Sequence, residues 1–304
     1  MTGNAPEPEI AVGGQAIVEG VMMRGPKRWA AAVRLPSGAI DTIDGVVPTW
    51  AGRVRNVPVV RGAVALVETI HLGLQALRWS AARDRGEDVD DASRGRLMVV
   101  TVITLAVFVA IFAVVPAAIA RGLGGEGAIG FALVEGGVRL GLFLAYVVAI
   151  GRSPAIRRTF EYHGAEHMMI AAHEHAEPLT VERARRYSTR HARCGTDFLL
   201  LVVVVAIMVF SLVGDAGWLV LVTSRVVGLP VVAGLAYEIL KLAKRRPDSR
   251  VVKVLIAPGM ALQALTTREP DDAQLEVAAA ALNSVLDGES GSGRRRSLER
   301  VPER

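Results

Sequence analysis

Residues 97–120 carry no charged side chain, and an α-helix of that length can cross the ~30 Å hydrocarbon core of a bilayer. Within lipid the backbone must satisfy its own hydrogen bonds, so a helix is what such a run can form. Three further apolar stretches follow. Residues 128–151 are interrupted by Glu135 and Arg139, which stand i and i+4 apart and can pair on one helix face. Residues 198–213 are apolar throughout, and after a Gly-Asp-Ala-Gly break the pattern resumes to Ser224. Residues 226–244 contain Pro230 near their start and end in a basic cluster, Lys241, Lys244, Arg245 and Arg246. This pattern predicts about four transmembrane helices, with the limits of the third and fourth around Asp215 and Arg225.

Basic residues set the orientation. Five arginines lie between Arg78 and Arg96 and eight between Arg152 and Arg193, whereas the other two connections hold only Arg121 and Arg225. The positive-inside rule then places both termini and the 152–197 loop on the cytoplasmic side of the membrane. A formal net charge of +5 is thereby explained by topology, so lipid is the expected partner and nucleic acid is not. Residues 1–14 contain no apolar run like a signal peptide. Cys194 is the only cysteine, which excludes a disulfide within one chain and suits the reducing cytoplasm.

The cytoplasmic loop carries the densest chemistry. Four of the six histidines, His163, His167, His173 and His175, fall in thirteen residues, and from Glu161 to Glu182 the only charge carriers are Glu and His. At about 100° per residue, with His163 at zero, His167 lies near about +40°, Glu174 +20°, Glu177 −40°, Glu166 −60° and His173 −80°. Ala165, Met168, Met169 and Ala172 take the opposite side, while Ile170 intrudes on the polar sector and His175 leaves it. Pro178 should end this helix, and Thr180 with Glu182 reads as the cap and first turn of the next. Histidines at i and i+4 can reach one metal from one face, and the Glu between them can take a proton from water beside it. His-x-x-Glu-His is the spacing of inverted zinc peptidases. A third ligand is needed, and Glu174, His191, Cys194 and Asp197 are the nearest candidates. The bland alternative is an amphipathic helix with a wet polar face.

The remaining chain divides into recognisable parts. Residues 1–12 form a flexible N-terminus. Within 13–96, a small β unit has candidate strands at 16–18, 30–35 and 39–43, with a Pro36-Ser37-Gly38 turn, and 59–82 reads as an interfacial helix. Residues 247–287 continue with an interfacial element at 251–264, broken at Pro258-Gly259, and a helix starting at Pro270-Asp271-Asp272. The tail, 288–304, has a disordered composition. Glu68 and His71 form a Glu-x-x-His pair, which in a single copy reads better as an ordinary helix face. A site completed by Glu19 or Asp271 would require both termini to fold back onto the histidine loop.

Four motifs in order resemble the YqhQ-like family of bacterial membrane proteins. They are Gly13-Gly14-Gln15-Ala16-Ile17-Val18-Glu19-Gly20-Val21-Met22-Met23-Arg24-Gly25-Pro26, Tyr162-His163-Gly164-Ala165-Glu166-His167, Arg193-Cys194-Gly195-Thr196 with Phe198, and Thr266-Thr267-Arg268-Glu269-Pro270-Asp271-Asp272. The resemblance implies an integral membrane protein of metal-dependent activity with no assigned reaction. The family pattern has a lysine directly after the second histidine, where this chain has Met168. A role for that lysine in holding an anionic substrate has no counterpart here.

Together these features predict a mainly α membrane protein. Spans 97–151 and 198–246 would carry a cytoplasmic layer built from the β unit, the 152–197 loop and the C-terminal helices. The function expected is a metal-dependent hydrolase at the cytoplasmic membrane face. His163 and His167 would hold a divalent ion such as zinc, Glu174, His191 or Cys194 would complete the shell, and Glu166 would act as general base. A non-enzymatic metal transporter, channel or metal-stabilised scaffold is the alternative, and a homo-oligomer is compatible with either.

Overall fold

The computed structural model describes residues 10–50, 54, 56–87, 91–123, 127–191, 194–213, 216–243 and 249–291. The expected flexible start before residue 10, Asp215, Lys244 to Arg246 and the tail beyond residue 291 lie outside the described residues. An antiparallel meander opens the fold: β1 (Gly13–Ile17), β2 (Gly20–Arg24), β3 (Arg28–Arg34) and β4 (Ile40–Val46), in that spatial order. The strand β2 was not expected from the sequence, because Val21, Met22 and Met23 are all apolar and show no alternation. The structure gives the reason, which is that the sheet is covered on both faces. Val21, Met23, Ala30 and Ala32 pack under the helices α5 (Pro154–Glu174) and α10 (Asp272–Glu289). Met22, Trp29, Ala31 and Val33 pack against Leu72, Ala76 and Trp79 of α1 (Val60–Asp84). A strand buried on both faces reads as a continuous apolar run.

The Val18–Glu19 turn joins β1 to β2, with Ile17 paired to Gly20 and Glu19 at φ 48°. Its carboxylate is held by Arg158 Nε at 2.7 Å, which fixes the hairpin on α5. Pro36-Ser37-Gly38 forms the expected turn, with Gly38 at φ 86°.

Among the described residues, three helical stretches are long and apolar enough to cross a membrane: Val99–Gly122, Ile129–Ile150 and Trp218–Leu242. The first comprises α2 (Asp91–Val109), a π-helical turn (Ala110–Val114) and α3 (Val115–Gly122); the others lie in α4 (Gly127–Ile150) and α8 (Trp218–Ala243). The expected third span is α7 (Thr196–Ser211), whose apolar part, Leu200–Ser211, is shorter. Its sixteen residues reach only about 24 Å. The segment from Trp218 to Ser224 therefore belongs to α8 and not to the third apolar stretch, and α8 runs uninterrupted through Arg225 and Pro230.

Arg225 is tolerated there because it is paired. It is 0% exposed, and its Nε donates to Glu135 Oε1 at 3.0 Å while Nη2 bonds the other carboxylate oxygen. The expected Glu135–Arg139 pair is present at 2.6 Å, so one buried carboxylate serves two guanidiniums. Both guanidiniums also lie over the Phe210 ring of α7, at 5.5 and 4.6 Å. Pro116 adds a further link. Its ring excludes the normal hydrogen bond to the carbonyl four residues back, that of Phe112, and Arg139 Nε donates to this carbonyl at 2.8 Å. The π turn, α4, α7 and α8 are thus locked by one polar cluster.

The third layer returns to the sheet. α9 (Arg250–Thr266) is continuous through Pro258, where a break was expected, since an internal proline removes one bond without always ending a helix. Asp271 then caps α10 through a reciprocal box with Gln274. Gly288 and Glu289 still belong to α10, so the helix runs past the expected boundary.

Candidate metal centre

Pro154 at the first turn starts α5, and the helix ends at Glu174, where the chain reverses through Ala176 at φ 53°. It stops a turn before the expected limit, so Glu177 is off the helix and pairs instead with Arg183 at 3.3 Å. Thr180 caps α6 (Val181–Ala184) as expected. The wet-face alternative fails, because every residue from Gly164 to Ala172 is buried. Ala165, Met168 and Met169 enter the core under the sheet, as their side of the helix required.

Two carbonyl oxygens orient the paired histidines. His163 Nδ1 lies 2.8 Å from the Thr266 carbonyl, and His167 Nδ1 lies 2.6 Å from that of Thr189. A carbonyl only accepts, so each Nδ1 donates, and in the neutral ring this tautomer leaves Nε2 as the acceptor and ligand atom. The rings meet edge to face at 4.4 Å. His163 Nε2 is 3.3 Å from Cys194 Sγ. His167 is 1% exposed, and its Nε2 has no hydrogen-bond partner among the described residues. Buried polar atoms are rarely left so. One ligand atom from each of His163, His167 and Cys194 lies within 4.8 Å of the others. A tetrahedral shell of two imidazoles and a thiolate needs spacings of about 3.6 Å, so a closure of about 1 Å would make the set a shell. The donor types, tautomers and orphaned nitrogen fit a borderline-soft divalent ion.

Cys194 is thus the third member, delivered by a segment distant from α5 in sequence. Glu174 and His191 stand beside the cluster and are paired with each other at 3.0 Å, while the His191 ring lies 5.8 Å from that of His167. The Asp197 side chain and Arg193 lie outside the described residues. His173 and His175 are used elsewhere: one bonds the Ile10 carbonyl at 3.0 Å, the other stacks near Tyr187. Glu68 and His71 serve Trp50, whose backbone N–H donates to Glu68 at 3.0 Å and whose ring meets His71.

Glu166 is 5% exposed and faces β1, where the Gly14 N–H donates to it. Burial raises its pKa above the ordinary carboxylate value, against the opposing pull of His163, His191 and the Gly14 bond. Gly14 has a steric reason to lack a side chain, since a Cβ would stand 2.9 Å from Glu166 Oε1.

The N-terminal sheet and α10 both pack onto the histidine helix, though neither Glu19 nor Asp271 joins the cluster. The supporting contacts were invisible in the sequence because most are backbone atoms. Gln263 is the exception: fully buried, it clamps the His191 backbone through two 2.9 Å hydrogen bonds. Nothing in its sequence surroundings singles it out.

Among the described residues, the fold and cluster define a mainly helical protein with three membrane-length helices, a small antiparallel sheet and a group of two histidines and a cysteine. The chain belongs to the family described as "Protein of unknown function (DUF1385)", whose model matches residues 57–288. It is 35% identical over 294 residues to the uncharacterised protein YqhQ of Bacillus subtilis (strain 168), covering 91% of this chain and 92% of that protein. No solved structure matches.

Proposed function

We propose that the chain is an integral bacterial cell-membrane protein with both termini cytoplasmic, and that it is a metal-dependent hydrolase. The observation that carries this reading is the buried Nε2 of His167, without a hydrogen-bond partner among the described residues, in a group with His163 and Cys194 whose ligand atoms lie within 4.8 Å of one another. Three protein ligands leave a fourth position for water, which is the arrangement of a catalytic site. Zinc suits this donor set best. When bound, it supplies Lewis-acid activation of water and of a substrate carbonyl or phosphoryl oxygen.

The chain's own groups supply the rest. Glu166 stands between the two histidines in sequence, and its raised pKa suits it to take and release the proton that hydrolysis moves. His191, held by Glu174 on its ring and Gln263 on its backbone, is the nearest further imidazole for a leaving group's proton. The transport alternative has less support, since Glu135, Arg139 and Arg225 are already satisfied by one another. Replacing Glu166 with Gln should leave metal stoichiometry unchanged and slow turnover by ~10²–10⁴-fold.

A test independent of substrate uses the Co²⁺-substituted full chain in detergent, titrated with acetohydroxamate. An open site gives a visible absorption spectrum that shifts as the ligand enters. A spectrum of tetrahedral Co²⁺ unmoved by saturating hydroxamate means four protein ligands and a structural site, and the hydrolase reading falls.

A further inference from the structure

We propose that a cavity backing onto the metal centre binds a phosphate group, so that the substrate of this site carries one. This rests on the membrane and metal readings above. The cavity, about 460 Å³, lies between α5 and the segments at 189–190 and 264–269. That volume holds a phosphate with a small headgroup.

Three arginines line it from three separate segments: Arg157 of α5, Arg190 and Arg268. None has a carboxylate partner among the described residues, in contrast to three arginines nearby. Arg158 pairs with Glu19, Arg183 with Glu177 and Arg185 with Asp272. Glu161 stands one turn after Arg157, yet its carboxylate accepts from Gln274 at 3.0 Å. With Glu161 and Glu269 counted, the wall carries one net positive charge. Arginine forks match phosphate oxygens in geometry as well as charge, and three of them favour a dianion.

Position argues the same way. Arg157 lies in the first turn of α5, across the turn at residues 151–153 from the apolar helix that ends at Ile150, so it is tethered near the end of that span. The walls are shared with the metal centre. The Thr189 carbonyl orients His167, Thr267 adjoins the carbonyl that orients His163, and the Arg268 backbone bonds Phe160 one turn before His163. A phosphate held here lies beside the groups that would act on the molecule carrying it.

The test uses zinc-supplemented full-length protein, wild type and Arg157→Gln/Arg190→Gln/Arg268→Gln. Binding is measured to nanodiscs of phosphatidylcholine with and without phosphatidic acid, and to soluble glycerol 3-phosphate. The expected result is binding of at least one phosphate probe that weakens 30-fold or more in the triple variant, with zinc content and melting temperature unchanged. Preference for phosphatidic acid would name a lipid-borne phosphate, and preference for glycerol 3-phosphate a soluble one. If the triple variant does not fold, each single variant, exposed and without an ion pair, should weaken binding several-fold. Absence of binding to both probes, or binding equal in wild type and variants, overturns the proposal. Arginine-dependent binding by a wild type that holds no metal would leave the cavity assigned and reject the metal reading alone.

Discussion

Replacing Glu135 with Gln is expected to lower unfolding stability by ~3–5 kcal/mol, the usual cost of breaking a buried ion pair by removing one partner. The carboxylate is 1% exposed and bonds both Arg139 and Arg225, the latter fully buried. Glutamine keeps the shape but leaves two guanidiniums facing one another in an apolar bundle. The Phe112 carbonyl, the Ser224 hydroxyl and the Phe210 ring, which also contact this pair, cannot neutralise two charges. Thermal unfolding in detergent should show a fall of roughly 5–15 °C. Removing Arg225 as well, as Glu135→Gln/Arg225→Gln, should recover part of it. Equal melting of Glu135→Gln and wild type would mean that the three groups are solvated and lock nothing.

Substitution of Gly164 by Ala should damage the proposed metal centre without touching one of its proposed ligands. A Cβ at this position would stand 2.0 Å from the Arg268 carbonyl oxygen and 3.3 Å from the Thr189 side chain. Backbone cannot swing aside like a side chain, so α5 and the 266–268 segment must separate. The Arg268 N–H to Phe160 carbonyl bond and the Thr266 carbonyl's hold on His163 would loosen together. Overpacking of this kind costs about 1–3 kcal/mol, and loss of a ligand's orienting partner weakens metal binding ~10–100-fold. Chelator competition against zinc measures the second effect. Gly13→Ala, with open space around its Cβ, should leave affinity unchanged. Wild-type affinity in Gly164→Ala would show that the carbonyl does not set the ring.

What the sequence disclosed follows the range over which each signal acts. His163 and His167 sharing one face is a local consequence of helical period, and so are the Thr180 cap and the start of α10. Singling out Cys194 from Glu174 and His191 was beyond sequence, because it depends on a fold across 27 residues from His167. The strand β2 escaped because burial on both faces erases alternation. Arg225 was taken as a break between spans, since its partner Glu135 lies 90 residues away and pairing at that separation leaves no periodic trace. The early end of α5, which moved Glu177 off the helix, comes from a reversal at Ala176 that no glycine or proline marks.

The most direct measurement is metal content by elemental mass spectrometry on detergent-purified protein, beside His163→Ala/His167→Ala. The wild type should hold about one equivalent of a divalent ion, zinc foremost, and the double variant almost none. A wild type that stays metal-free after supplementation without chelators, or a double variant that retains the same ion, would contradict the account.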